Sequence, residues 1–132
     1  KFEGNTGPYL LYTYARANSV LEKAGFEVGA GKYQHLTAPK VVSMHSKERA
    51  LASALVHFQE IVSEACEELA PSRIANYVFD VAQKFNSFYG EVPILDSKPE
   101  SRKRHLLYLT YAASVVLKRG LDLLGIDVVE KM

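Results

Sequence analysis

Apolar residues return at steps of three and four along most of this chain and almost nowhere at steps of two. That period is the mark of helices with one buried face. The first stripe is Leu10, Thr13, Tyr14, Ala17, Val20, Leu21 and Ala24. Pro8 sits where a first-turn proline is tolerated, Asn5 or Thr6 can cap the start, and Gly25 supplies a stop. Residues 26–45 hold Gly29, Gly31 and Pro39 and keep no sustained period, apart from a doubtful alternation over Lys40 to Met44, so a long loop with a short turn there is expected. Ser46 then reads as a cap for a stripe of Leu51, Ala54, Leu55, Phe58, Ile61, Val62, Ala65 and Leu69, in which the pattern allows a break around His57 to Gln59.

Pro71 opens the next helix at its first position, with Ile74, Tyr77, Val78, Val81, Phe85 and Phe88 on one face and Gly90 as its predicted end. Ser97 and Glu100 have the spacing of a capping box around Pro99. The final helix reads from Arg104, buries Leu106, Leu109, Ala113, Val116, Leu117 and Leu121, runs past Gly120 and ends near Gly125, with a short tail to Met132. The expected architecture is all-α, a bundle of four to five helices in one domain over residues 1–132.

Composition narrows the function more than the fold. The chain of 132 residues has 48% hydrophobic and 23% charged residues, an ordinary globular balance. A globule of this size buries roughly two-thirds of its unfolded surface. No apolar run approaches the ~20 residues of a membrane span, so no membrane partner is expected. The chain starts at Lys1 rather than Met, which suggests a piece of a longer protein. A single cysteine, Cys66, allows no internal disulfide and fits a reducing cytoplasm. Net charge is only +1, but it is clustered: Glu60, Glu64, Glu67 and Glu68 in one stretch, Lys98, Arg102, Lys103, Arg104 and His105 in another, with Lys118 and Arg119 beyond. A polyanion is drawn to the second and repelled by the first, unless both are plain solvated helix faces.

Catalytic chemistry is hard to find. His35, His45, His57, His105 and Cys66 show no metal-ligand spacing, and no phosphate loop or nucleophile elbow occurs. The eight tyrosines offer more. Tyr9, Tyr12, Arg16, Ser19 and Lys23 form a stripe of their own on the first helix, apart from its apolar face. Aromatic rings stack on unpaired bases and arginine meets base or phosphate, at ~1–3 kcal/mol per stacked base. Ordinary half-buried tyrosines beside a solvent-facing arginine give the same spacing. On the Pro71 helix, Asn76, Phe79, Gln83 and Asn86 share a face with Tyr89 at its end, where amides can read base edges or bridge neighbouring helices.

Three segments carry a resemblance. The opening Gly4-Asn5-Thr6-Gly7-Pro8-Tyr9-Leu10-Leu11-Tyr12 with Arg16, the stretch from Ile74 to Tyr89, and the ending from Arg104 to Met132 resemble the C-terminal, DALR-type anticodon-binding domain of class I arginyl-tRNA synthetases. Val92-Pro93-Ile94-Leu95 is similar too. Leu11 and Tyr14 stand where many members of that family carry Gln and His. The family's His-x-Gly-His and Lys-Met-Ser-Lys-Ser motifs are absent, and Ser43 to Lys47 is only a faint echo of the second.

The resemblance implies a helical bundle that grips the anticodon loop of tRNA(Arg), in a cytoplasmic arginine–tRNA ligase whose ATP-dependent chemistry resides in a catalytic domain outside this segment. It implies no cofactor within this segment, ATP in the parent enzyme, and the missing catalytic domain as a partner; a monomer is expected. Family contacts carried over position by position fall on Tyr12, Arg16, Tyr89 and Met132; with Tyr9 and Asn86 these make the expected RNA-binding set. The alternative is a helical interaction module that docks a protein through its Tyr and Arg face. A self-sufficient small enzyme lacks the residues to support it.

Overall fold

The computed structural model describes residues 6–26 and 44–128, which form five helices. These are α1 (Thr6–Lys23), α2 (Ser46–Leu55), α3 (Phe58–Glu68), α4 (Pro71–Glu91) and α5 (Glu100–Leu123). No strand occurs among the described residues. The expected loop over most of 26–45, the Lys40 to Met44 turn, the Asn5 cap and the tail ending in Met132 lie outside the described residues.

α4 and α5 pack against each other at the centre; α1 lies across both, α2 also touches both, and α3 rests on α4. The core follows the predicted stripes. Leu10, Ala17 and Leu21 of α1, Val78, Val81, Phe85 and Phe88 of α4, and Leu106, Ala113, Leu117 and Leu121 of α5 are all fully buried. Gly120 lets α4 and α5 approach, because a Cβ there would stand 2.3 Å from Cγ2 of Val78.

The helix ends show which sequence signals act. α1 and α5 finish in the same motif: Gly25 (φ 100°) and Gly125 (φ 77°) take the left-handed conformation. The following amides, Phe26 and Ile126, reach back to the carbonyls of Leu21 and Leu121 at 3.0 and 2.9 Å. Pro71 stands at the start of α4 and the chain breaks between α2 and α3 at Val56 and His57, both as the pattern implied.

Four expectations change. His45, not Ser46, caps α2: its Nδ1 accepts from the Lys47 amide at 3.0 Å, while Glu48 accepts from the His45 amide at 3.0 Å. Gly90 does not stop α4, which continues to Glu91. The stop is Val92, held extended (φ −112°, ψ 118°) by the proline that follows. The Ser97–Glu100 capping box does not form, because Glu100 is the first helical residue and Ser97 donates instead to the Pro93 carbonyl. Finally, the α2–α3 stripe is only partly inward: Leu51 and Ala65 are buried, but Leu69 is 87% exposed. Leu69 caps α3 in the left-handed region (φ 51°), which turns it off the helix face.

α2 is also tied to α5 by charge. Glu48 is fully buried and accepts two hydrogen bonds from the Arg102 guanidinium, one of them 2.7 Å long. Nε2 of His105 lies 3.2 Å from the same carboxylate, off the hydrogen-bond axis. Burial alone would raise the Glu48 pKa, but the hydrogen bonds from Arg102 and the His45 amide and the nearby positive charge hold it below the usual carboxylate range. Burial pushes the His105 imidazole below its usual value, against the pull of Glu48. The basic stretch is therefore partly consumed inside the fold, and Lys118 pairs with Asp122 at 3.2 Å.

Candidate nucleic-acid interface

Helical geometry brings Tyr9, Tyr12, Thr13 and Arg16 of α1 onto adjoining turns, and packing brings the last two turns of α4 against them. The result is one connected cluster. Nη1 of Arg16 donates to Oδ1 of Asn86 at 2.9 Å, and Nη2 donates to the Tyr12 hydroxyl at 3.0 Å. Cζ of Arg16 lies 5.0 Å from the Tyr12 ring centre and 4.4 Å from that of Tyr89, both within cation–π reach. The Asn86 amide donates to the Tyr9 hydroxyl at 2.9 Å and to Oγ1 of Thr13 at 3.0 Å.

Exposure separates two roles within the cluster. Tyr12 is 51% and Tyr89 40% exposed, so both rings are offered to solvent with the arginine beside them. Tyr9 is half-buried and folded inward, its ring 5.4 Å from that of Phe79. Tyr89 is steadied from behind by Phe85, at 6.3 Å between ring centres. Tyr12, Arg16 and Tyr89 form one end of a cleft of about 660 Å³. Its other wall is Val92 to Asp96, with Ser19 and Lys23 along the floor of α1.

Five of the six residues expected to meet RNA are thus together, and Met132 lies outside the described residues. Asn76 and Gln83 are exposed and take no part in the cluster. Thr13 is fully buried, as its place in the apolar stripe predicts, and its hydroxyl also joins the network, donating to the Tyr9 carbonyl at 2.9 Å. The clue was a hydroxyl standing in an otherwise apolar stripe. Of the loop wall of Val92 to Asp96, the sequence offered only the family resemblance of Val92 to Leu95 and its place after α4.

The chemistry open to this cluster is stacking and donation. Two flat rings can hold splayed bases, and a donor-only guanidinium suits base acceptors or phosphate oxygens. Among the described residues no group of three or more His, Cys, Asp or Glu could hold a metal, and no helix is long and apolar enough to cross a membrane.

Comparison with known proteins agrees with this geometry. The chain is 44% identical over its whole length to arginine–tRNA ligase 1 of Bacillus cereus and 40% identical over 99% of it to arginine–tRNA ligase of Psychromonas ingrahamii. It spans 22% of the length of each. The fold superimposes on Thermus thermophilus arginyl-tRNA synthetase with a TM-score of 0.83 and 39% identity, covering all of this chain and 22% of that one. The profile of the DALR anticodon binding domain matches residues 10–132, and the chain belongs to that family.

Proposed function

We propose that this chain binds the anticodon loop of tRNA(Arg), as the part of an arginine–tRNA ligase that positions the tRNA while arginine and ATP react in another domain of the longer protein. The observation that carries the reading is the open Tyr12–Arg16–Tyr89 cluster at the mouth of a cleft, in a chain of the DALR anticodon binding domain family. Tyr12 and Tyr89 offer ring faces to unstacked bases, and Arg16 offers N–H groups to base or phosphate oxygens. Asn86 completes the site from α4 and Tyr9 from the first turn of α1, and Met132 is the remaining expected contact. The near-neutral net charge is compatible with this role, since the rest of the longer protein can supply much of the phosphate contact while the rings here supply stacking.

Arginine anticodons usually have C at the middle position, so discrimination is expected there. Binding of arginine tRNA is compared with binding of the same tRNA carrying a changed middle base, at moderate salt. Weaker binding of the changed tRNA supports the proposal; equal binding of the two overturns it. Salt titration separates it from docking of a protein on the same face, because phosphate contacts weaken steeply as salt rises and an apolar interface does not.

A further inference from the structure

We infer that Asn86 is a positioning residue, which fixes the Arg16 guanidinium in place and spends both of its N–H donors inside the protein. The inference rests on the reading of Arg16 as an RNA contact, and it assigns Asn86 a role different from the direct contact its sequence position suggested.

The hydrogen bonds determine the amide's orientation. Arginine can only donate, so the Asn86 atom 2.9 Å from its Nη1 must be the carbonyl oxygen. The amide nitrogen then faces the hydroxyls of Tyr9 and Thr13, at 2.9 and 3.0 Å. Thr13 has already given its hydrogen to the Tyr9 carbonyl, so its oxygen is free to accept. Every group is matched in polarity, and both Asn86 N–H groups are committed inside the protein. A base edge could recruit an Asn86 N–H only by breaking this set.

Arg16 is left in the opposite condition. Two of its N–H groups go to Asn86 and Tyr12, and the others have no partner among the described residues. An arginine on a helix surface samples many rotamers. Here one end of the guanidinium is tied to α4, whose Phe85 and Phe88 are fully buried on either side of Asn86. Asn86 and Tyr89 lie on the same helix, so the bond to Asn86 holds the guanidinium over the Tyr89 ring. Asn86 thereby prepares the donor face before RNA arrives, which reduces the ordering cost of binding.

A double-mutant cycle tests this in the full-length protein that carries the chain, with tRNA binding as the readout and melting temperature recorded for each variant. Asn86→Ala is expected to weaken binding by about 5- to 20-fold, and by less than about twofold when Arg16→Ala is already present. Asn86→Leu keeps the volume of the side chain and removes its acceptor, so it should behave the same way if the alanine variant folds poorly. Equal losses with and without Arg16 would overturn the inference, since they place Asn86 on the RNA or in the fold alone. No loss in either background would overturn it as well. Normal binding by Arg16→Ala alone would instead overturn the reading of the site, and this inference with it.

Discussion

The guanidinium carbon of Arg16 lies 4.4 Å from the centre of the Tyr89 ring, joining the middle of α1 to the end of α4. The contact uses the ring and not the hydroxyl. Tyr89→Phe should therefore keep tRNA binding close to wild type. Tyr89→Ala should weaken it by about 1–2 kcal/mol, the size of one lost base stack. Melting temperature should change little in Tyr89→Phe, which keeps the ring, and fall modestly in Tyr89→Ala, which removes the ring's packing on Phe85. Binding measurements on the two variants decide the matter: an equal loss in both would move the contact from the ring to the hydroxyl.

What could be read from the sequence was whatever depends on near neighbours. The stripes of α1, α4 and α5 came out as written because helical periodicity needs only local spacing. Tyr12 and Arg16 were legible as a pair because four residues separate them. Arg16 and Asn86 are 70 residues apart, and nothing local announces that an amide on one helix will meet a guanidinium on another. Tyr89 was legible at the end of the Asn86 face, but not its meeting with Arg16. Nothing in the sequence singles out Glu48, because its burial depends on Arg102, 54 residues away on another helix. Leu69 looked like core because the periodic pattern takes no account of a helix stopping one residue early.

Stability should fall on acidification in two steps, for reasons tied to the Glu48 cluster. The buried His105 imidazole titrates below its ordinary value of 6.5. Below that pH the unfolded chain takes up a proton that the folded chain resists, so stability rises with pH in this range and drops as pH falls through it. Glu48 is held below its ordinary 4.5, and the same sign applies to the lower step. Denaturant midpoints followed from pH 7 down to about pH 2 measure both steps, since the lower one lies below 4.5. His105→Phe should flatten the upper step and leave the lower one. A wild-type midpoint constant from pH 7 to 5 would contradict this account of His105.

Removing the partner should be worse than removing the histidine. Arg102 is 30% exposed, whereas Glu48 is sealed. Arg102→Ala leaves a buried carboxylate with fewer donors, at a cost of about 3 kcal/mol near neutral pH, the low end for a broken buried pair. Much of the loss should return on lowering the pH enough to protonate Glu48, relative to wild type under the same conditions. Chemical denaturation at two pH values checks this, and an undiminished deficit at the lower pH would count against the cause given.

The contact of Gly120 with Val78 predicts a coupled pair. A methyl group at position 120 would meet Cγ2 of Val78 at 2.3 Å, and Val78 is a stiff, fully buried side chain. Gly120→Ala gains up to about 1 kcal/mol of helix propensity but meets an overpacking penalty of about 1–3 kcal/mol. The expected net is a loss of up to about 2 kcal/mol. Trimming Val78 to alanine opens a cavity by itself but makes room for the new methyl. The double variant should therefore lose clearly less than the sum of the single ones. Additive losses, measured by thermal or denaturant unfolding, would mean the helices separate rather than collide.

Leu69 offers the reverse case, a substitution expected to stabilise. It holds φ at 51° and is 87% exposed, so it bears the strain of the left-handed region without burying its side chain. Its backbone position is useful: it ends α3 and lets the Ala70 amide reach the Ala65 carbonyl at 3.0 Å. Glycine takes the same conformation without the clash of Cβ against the backbone, a relief of about 1–2 kcal/mol. Against that stands the greater freedom of glycine in the unfolded chain, about 0.5–1 kcal/mol. Leu69→Gly should thus raise stability by up to about 1 kcal/mol, while tRNA binding stays unchanged because Leu69 belongs neither to the Tyr12–Arg16–Tyr89 cluster nor to its cleft. A fall in melting temperature would show instead that the leucine side chain makes a stabilising contact in the full-length protein.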